Sequence, residues 1–321
     1  MAAQIFGQRC QSLADGGAYT EKAEGSSPSS PTTSPNCCQP SASLVPTVNI
    51  GVKLGLTTGA EAALLAQKAE RLGYHSVWLS ERVAVPLNEP HPYKPSIDPW
   101  IGLAFIAAAT ERVVLSTTVS QIALRDPVLM ARELATLDIL SGGRMIVGAG
   151  AGWVTAEFEA TSVPFETRGR RLGEFVQVMR RLWTAPEEGW EGKFFRVPGM
   201  QLVMPKTPGG PKIYLGAGSP AGLRRAARLG DGFIAGTLPL AGVVAARDRI
   251  MAIRGELGLS GPFPVYAQVV PPETVDAARQ LAHAYRDAGI DGIILSESRA
   301  REAGFPKDDD VSRALVEEAA G

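Results

Sequence analysis

Four short stretches of the chain bring together residue types that could do chemistry. Gly216-Ala217-Gly218-Ser219-Pro220 runs directly into a segment of helical spacing that starts at Ala221. Ser219 suits the cap of that helix and Pro220 its first turn. The N–H groups exposed at such a helix start, with the local dipole, form a phosphate site; a tight turn with an ordinary cap is the plainer alternative. Gly148-Ala149-Gly150-Ala151-Gly152-Trp153 has the glycines of a dinucleotide loop but the wrong final spacing. Gly150 and Gly152 there would let a flat ring approach the backbone, with Trp153 as a stacking wall or as core filler. Glu81-Arg82 sets a carboxylate beside a guanidinium, and Glu157 lies one helical turn beyond Trp153. Glu157 could handle a proton or cap the loop. Gly236-Thr237 closes a further apolar run.

Other chemistries find little support. His75, His91 and His283 are far apart and lack metal-ligand spacing, so no metal is expected. His75 and His283 read as packing or solvent residues; His91, in the Pro-rich stretch Leu87–Ile97, reads first as a mobile loop histidine, with substrate contact as the alternative. Cys10, Cys37 and Cys38 all precede the folded part, which therefore carries neither a disulfide nor a thiolate metal site. No nucleophile elbow or Walker loop appears. A site so poor in nucleophiles and bases depends on a cofactor for the hard chemistry.

The elements that position these residues alternate strand with helix. Period-2 alternation begins at Val48 and runs to Leu56, and helical spacing follows over Ala60–Leu72 up to Gly73. The cycle repeats, with strands at Ser76–Ser80, Arg112–Val119, Met145–Ala149, Lys212–Gly216, Gly232–Ala235, Val265–Val269 and Gly292–Leu295. Helices are expected at Trp100–Thr110, Pro127–Leu140, Arg168–Trp183, Ala221–Leu229, Leu240–Leu257, Pro272–Ala288 and Asp310–Ala319. Eight strand–helix units imply parallel pairing and a closed (β/α)8 barrel, the doubly wound sheet being the alternative. Chemistry in such a barrel gathers at the C-terminal strand ends, where all four stretches fall. Thr184–Pro211 is too long for a simple connection. Lys193–Val197 and Gln201–Met204, flanking Pro198-Gly199, read as an inserted hairpin.

Residues 1–45 differ from the rest. Gly25–Ser43 is rich in Ser, Pro and Thr and should be disordered, leaving residues 46–321 as the folded domain. The chain has 32 basic and 33 acidic residues, a net charge of −1, which offers no overall field for nucleic acid or an acidic membrane. No apolar run approaches the ~20 residues of a membrane-spanning helix. With no secretory pattern at the start and few cysteines, the sequence reads as reduced and cytoplasmic.

Ala135-Thr136-Leu137-Asp138-Ile139-Leu140-Ser141-Gly142-Gly143-Arg144 followed by Gly148–Trp153 resembles the luciferase-like monooxygenase superfamily. So do Glu157-Phe158-Glu159, Pro164–Arg171 and, later, Gly218-Ser219-Pro220 with Leu223–Phe233. The branch most similar is the one that uses coenzyme F420, a deazaflavin, with FMN-dependent monooxygenases as the alternative. A barrel that binds such a cofactor without catalysis is a third reading. The resemblance implies a luciferase-type barrel with an inserted hairpin region and a deazaflavin across the strand ends. The reaction would be hydride transfer to or from a small organic substrate. It also implies a bulge after the third strand, often with a non-proline cis peptide, at Thr118-Val119, and phosphate contacts at Gly216–Ser219 and Gly236-Thr237. A homodimer would suit the family, and a reductase partner would be needed only with FMN. Asp138 and Arg144, at the opposite end of the barrel, are expected to form a salt bridge or helix cap. The departure is Arg82, where relatives often carry histidine after an acidic residue. Arginine is a poor general acid near neutrality but can hold a carboxylate or an anionic ring; a Glu81–Arg82-linked ion-pair network at the rim is the plainer alternative.

Overall fold

The computed structural model describes residues 47–55, 58–87, 96–296 and 304–321. The expectations for residues 1–45 and for His91 fall outside the described residues. Strands β1 (Asn49–Lys53), β2 (Ser76–Leu79), β3 (Val114–Thr117) and β4 (Met145–Ala149) alternate with helices α1 (Gly59–Arg71), α2 (Pro99–Ala109) and α3 (Pro127–Leu140). After β4 come a short helix α4 (Thr155–Ala160), the long α5 (Arg168–Thr184) and a two-stranded antiparallel pair, β5 (Trp190–Glu191) with β6 (Arg196–Val197). The alternation then resumes as β7 (Lys212–Gly216), α6 (Pro220–Leu229), β8 (Gly232–Thr237), α7 (Leu240–Glu256), β9 (Val265–Val269), α8 (Val275–Asp287), β10 (Gly292–Leu295) and α9 (Asp309–Ala320). Eight strands close a barrel in the order β1-β10-β9-β8-β7-β4-β3-β2, and every pairing is parallel. The (β/α)8 reading is correct.

Helix starts follow the local chemistry. Asp98, Asp126 and Ser219 each cap a helix through a side-chain oxygen, and each is followed by proline, whose missing N–H costs nothing there. Helix α4 has no counterpart among the expected elements; at six residues it is too short to show a periodic stripe.

The lower lumen is filled by Trp78, Tyr214, Ile234, Tyr266 and Ile294. The rings need room, and glycines supply it. A Cβ at Gly51 would strike Trp78, one at Gly232 would strike Tyr214, and one at Gly292 would strike Tyr266. Ring centroids of Trp78 and Tyr266 lie 5.5 Å apart, and those of Tyr214 and Tyr266 5.7 Å apart. Burial pushes the Tyr214 phenol up to about 12. Outside the strands, apolar faces of the helices pack on the sheet around Phe175, Leu134 and Ile106.

The inserted hairpin is real but its register differs from expectation. The strands are β5 and β6, so the turn is Gly192–Phe195, and Gln201–Met204 forms no strand. The reason is Glu174 on α5. Its carboxylate accepts from the backbone N–H groups of Lys193, Phe194 and Phe195 and from Trp190 Nε1, at 2.9–3.3 Å, pinning the turn where sequence patterning offered Pro198-Gly199. Phe195 then packs edge-on against Phe175, 5.5 Å between centroids. No helix among the described residues is long and apolar enough to cross a membrane. Glu174→Ala should release the turn amides: hydrogen exchange at residues 193–195 should rise toward unprotected rates, with a stability loss on the order of 1–3 kcal/mol in urea unfolding.

Candidate functional site

Strand ends from all sides of the barrel meet at a cavity of about 920 Å3. Glu81 and Arg82 come from the end of β2, Thr118, Val119 and Gln121 from β3, and Gly150–Trp153 from β4. Gly216 ends β7 and Ala217–Ser219 follow it, and Gly236 and Thr237 end β8. The sequence candidates therefore share one cavity, with one exception. Glu157 is fully buried and does not line it.

Two carboxylates organise the β2 and β3 ends. Glu81 accepts from Ser120 Oγ and Gln121 N–H, both at 2.6 Å, and pairs with Arg125, which also reaches Asp98 at 2.6 Å. Glu157 accepts from Arg82 Nη1 at 3.0 Å, from Val83 N–H at 2.8 Å and from Gln121 Nε2 at 2.9 Å. The adjacent Glu81 and Arg82 thus take different partners, and the ion-pair network that links them at the rim runs through Gln121 and not through a direct Glu81–Arg82 contact. Glu157 lies behind the lining residues Arg82 and Gln121, and its oxygens are occupied by three donors. Arg82 lies 5.1 Å over the Trp153 ring. Trp153, half-exposed, is a wall of the cavity and not core filler.

The peptide bond between Thr118 and Val119 is cis, as the resemblance implies. β3 stops at Thr117, two residues earlier than alternation suggests, and pairing resumes only at an isolated bridge between Ser120 and Ala149. The glycines around it mean something other than ring approach alone. A Cβ at Gly150 would stand 2.6 Å from Val119 Cγ2, and one at Gly216 would stand 2.9 Å from Val119 Cγ1. Gly148 clears the Thr117 carbonyl, and Gly152, at φ 76°, clears Gln121 and Phe158. These glycines seat the β3 bulge. Gly218 and Gly236 differ: a Cβ added at either would meet nothing within 4 Å, so both face open space.

Ser219 caps α6 as expected, its Oγ accepting from Gly222 N–H at 3.1 Å. Asp138 and Arg144 do lie at the far end; they do not pair, but Arg144 caps the C-terminal ends of α2 and α3, the other role expected of it. Asp138 takes Thr207 N–H and Oγ1 at 2.7 and 3.0 Å, while Arg144 donates to the Ser141, Val113 and Ala107 carbonyls. His75 is half-buried, and that desolvation lowers its pKa, while His283 pairs with Glu318 at 2.6 Å. Among the described residues no cluster of His, Cys, Asp or Glu could hold a metal ion.

Sequence reasoning missed several cavity residues. Lys53 at the end of β1 reads in sequence only as the polar phase of an alternation, yet it is buried and lines the cavity. Gln268 and Ser296, at the ends of β9 and β10, line it too, as do Arg168 and Arg225. The strand-end rule alone could have found the first three.

A family model described as luciferase-like monooxygenase matches residues 43–320. The chain is 33% identical over 190 residues to an uncharacterized protein of Mycobacterium tuberculosis strain H37Rv, covering 55% of this chain and 67% of that one. It is 36% identical over 194 residues to the F420-dependent glucose-6-phosphate dehydrogenase of Kineococcus radiotolerans, covering 57% and 56% respectively. The coenzyme F420-dependent tetrahydromethanopterin reductase from Methanopyrus kandleri has a similar fold, with a TM-score of 0.68 at 16% identity over 85% of this chain and 98% of that one.

Removing a buried carboxylate strands its donors. Glu157→Ala should therefore cost about 3 kcal/mol or more in urea unfolding, since the Arg82 guanidinium loses a buried counter-charge. A loss below about 1 kcal/mol would mean that water replaces the carboxylate without penalty.

Proposed function

The chain belongs to the luciferase-like monooxygenase family, and we propose that it is an oxidoreductase that takes coenzyme F420 as hydride carrier and acts on a small organic substrate. The observation that carries this reading is the 36% identity to a protein named F420-dependent glucose-6-phosphate dehydrogenase.

The cavity suits such a group in three respects. Thr118 Oγ1, Gln121 Oε1 and Ser296 Oγ are buried without a hydrogen-bond partner among the described residues, and all three residues line the cavity. A polar heterocycle would satisfy them, and buried polar groups are rarely left unpaired. Val119, held in the gaps at Gly150 and Gly216, provides an apolar face. Gly218 and Gly236 leave open space beside the start of α6, where an anion is favoured.

When bound, the deazaflavin supplies two-electron hydride chemistry without activating oxygen. The residues of the chain do the rest. Val119 backs the ring, and the Gly218 and Ser219 amides with the start of α6 hold the phosphate. Arg82, oriented by Glu157, places a positive charge at the mouth, where it stabilises a carboxylate of the substrate or negative charge on the reduced ring. Glu81 keeps Gln121 and Arg125 in place. FMN, with a phosphate of its own, suits the same loop; oxygen-dependent turnover would distinguish it.

Fluorescence titration with F420 and with FMN tests the assignment. Tighter binding of F420 is expected, and binding of FMN alone would overturn it. Gly218→Val should weaken F420 about 10- to 100-fold by blocking backbone approach. Unchanged affinity in the folded variant would place the phosphate elsewhere.

The Arg82 series separates charge from proton transfer. Arg82→Lys should keep much of the cofactor or substrate affinity and Arg82→Ala should lose it, with thermal midpoints measured alongside because Glu157 is left buried. Arg82→His raising the hydride-transfer rate would show that the site needs an acid and not an anchor.

A further inference from the structure

Among the described residues that line the cavity, Lys53 is the one charged side chain carried by a barrel strand. Glu81, Arg82, Glu166, Arg168, Arg170 and Arg225 stand on loops and helices beyond the strand ends. Lys53 is the last residue of β1 and is buried. It is in phase with Gly51, whose added Cβ would strike Trp78, so its side chain enters the lumen just above the aromatic floor. A cation is costly beside Trp78, Ile234 and Ile294, and packing gives no reason for it.

Closure of the barrel fixes what Lys53 faces. Followed from strand to strand, the pairing register puts Lys53, Thr118, Gly216 and Gln268, from alternate strands, in one layer. β1 lies halfway round the barrel from β7, and β10 halfway round from β4. Lys53 therefore stands across the cavity from Gly216, and Ser296, directly after β10, stands across from Gly150. These are the two glycines that make room for Val119. Gln268 lies on β9, the neighbour of β10, and Ser296 Oγ is buried without a hydrogen-bond partner among the described residues. With Val119 backing the ring, the open face, where hydride leaves or arrives, is turned to Lys53 and Ser296.

We propose that Lys53 is a catalytic residue that holds the substrate oxygen at the carbon exchanging the hydride, and that it exchanges a proton with that oxygen. Ser296 and Gln268 bond to the same oxygen. The substrate is then an alcohol or the corresponding ketone or aldehyde; this rests on the oxidoreductase reading given above. In the reducing direction the carbonyl carbon takes the hydride from the reduced deazaflavin, which is oxidised. The C=O π bond opens and the oxygen takes a proton from Lys53 Nζ, giving the alcohol. The neutral amine regains a proton from water, and alcohol oxidation runs the same steps backwards. An ammonium has three donors, so it can hold a protein neighbour and the substrate oxygen together. It can also give up a proton, which the Arg82 guanidinium cannot.

Two measurements on the full chain test this. Ligand-observed NMR titration without cofactor compares cyclohexanone with methylenecyclohexane, which has the same shape but no oxygen. The ketone should bind about tenfold more tightly, a preference that Lys53→Met abolishes, Ser296→Ala reduces and Lys53→Arg keeps. Single-turnover oxidation of reduced F420 is then followed with a panel of small ketones and aldehydes. With the fastest of them, Lys53→Met and Lys53→Arg should both slow hydride transfer about 100-fold. F420 affinity by fluorescence should stay unchanged in each variant, and the thermal midpoint checks folding. Lys53→Arg separates the roles, because it keeps the charge but cannot give the proton. Full rate in Lys53→Arg, no preference for the ketone, or no reduction of any panel member by the F420-loaded chain would overturn the proposal. A ketone preference lost in Lys53→Met, in a chain that does not bind F420, would support the oxygen subsite and refute the carrier assigned above.

Discussion

Closing eight short parallel strands leaves a lumen that only side chains can fill, and this requirement shapes the whole molecule. Trp78, Tyr214 and Tyr266 are too large to sit opposite ordinary residues, and the strands beside them carry Gly51, Gly232 and Gly292. The three rings and three glycines set the height of the floor. Beyond them the strand ends surround the cavity, which Ile234 of the same cluster also lines.

Above that floor, charge takes over from packing. Glu81 and Glu157 are buried, and burial is tolerable only because each is surrounded by donors. Gln121 links them, giving its backbone N–H to one and its side-chain amide to the other. The β2 and β3 ends are therefore fixed relative to each other, and Arg82 is presented to the cavity from a buried anchor. The same economy of space governs the β3 bulge, where Val119 occupies the gaps left at Gly150 and Gly216.

The near-neutral net charge conceals this unevenness. Carboxylates are drawn into the β2–β3 side of the mouth, while guanidinium groups collect on the α5–α6–α7 side. On the first side Glu157 holds Arg82 from beneath.

The sequence by itself determined the alternation of strand and helix, the boundaries of Pro127–Leu140 and Met145–Ala149, the Ser219-Pro220 cap and the glycine-rich strand ends. Each is a local matter of periodicity, capping or backbone freedom, legible within a few residues. Which of those glycines face a ligand was not legible. Gly150 and Gly218 look alike in sequence, yet one faces Val119 and the other faces open space, because the difference lies in the bulge after a neighbouring strand. The hairpin register followed Glu174, some twenty residues away, and Arg82 turned to Glu157 instead of its neighbour Glu81. Buried charges choose partners by distance in space, and only the closed barrel brings residues 82, 121 and 157 together.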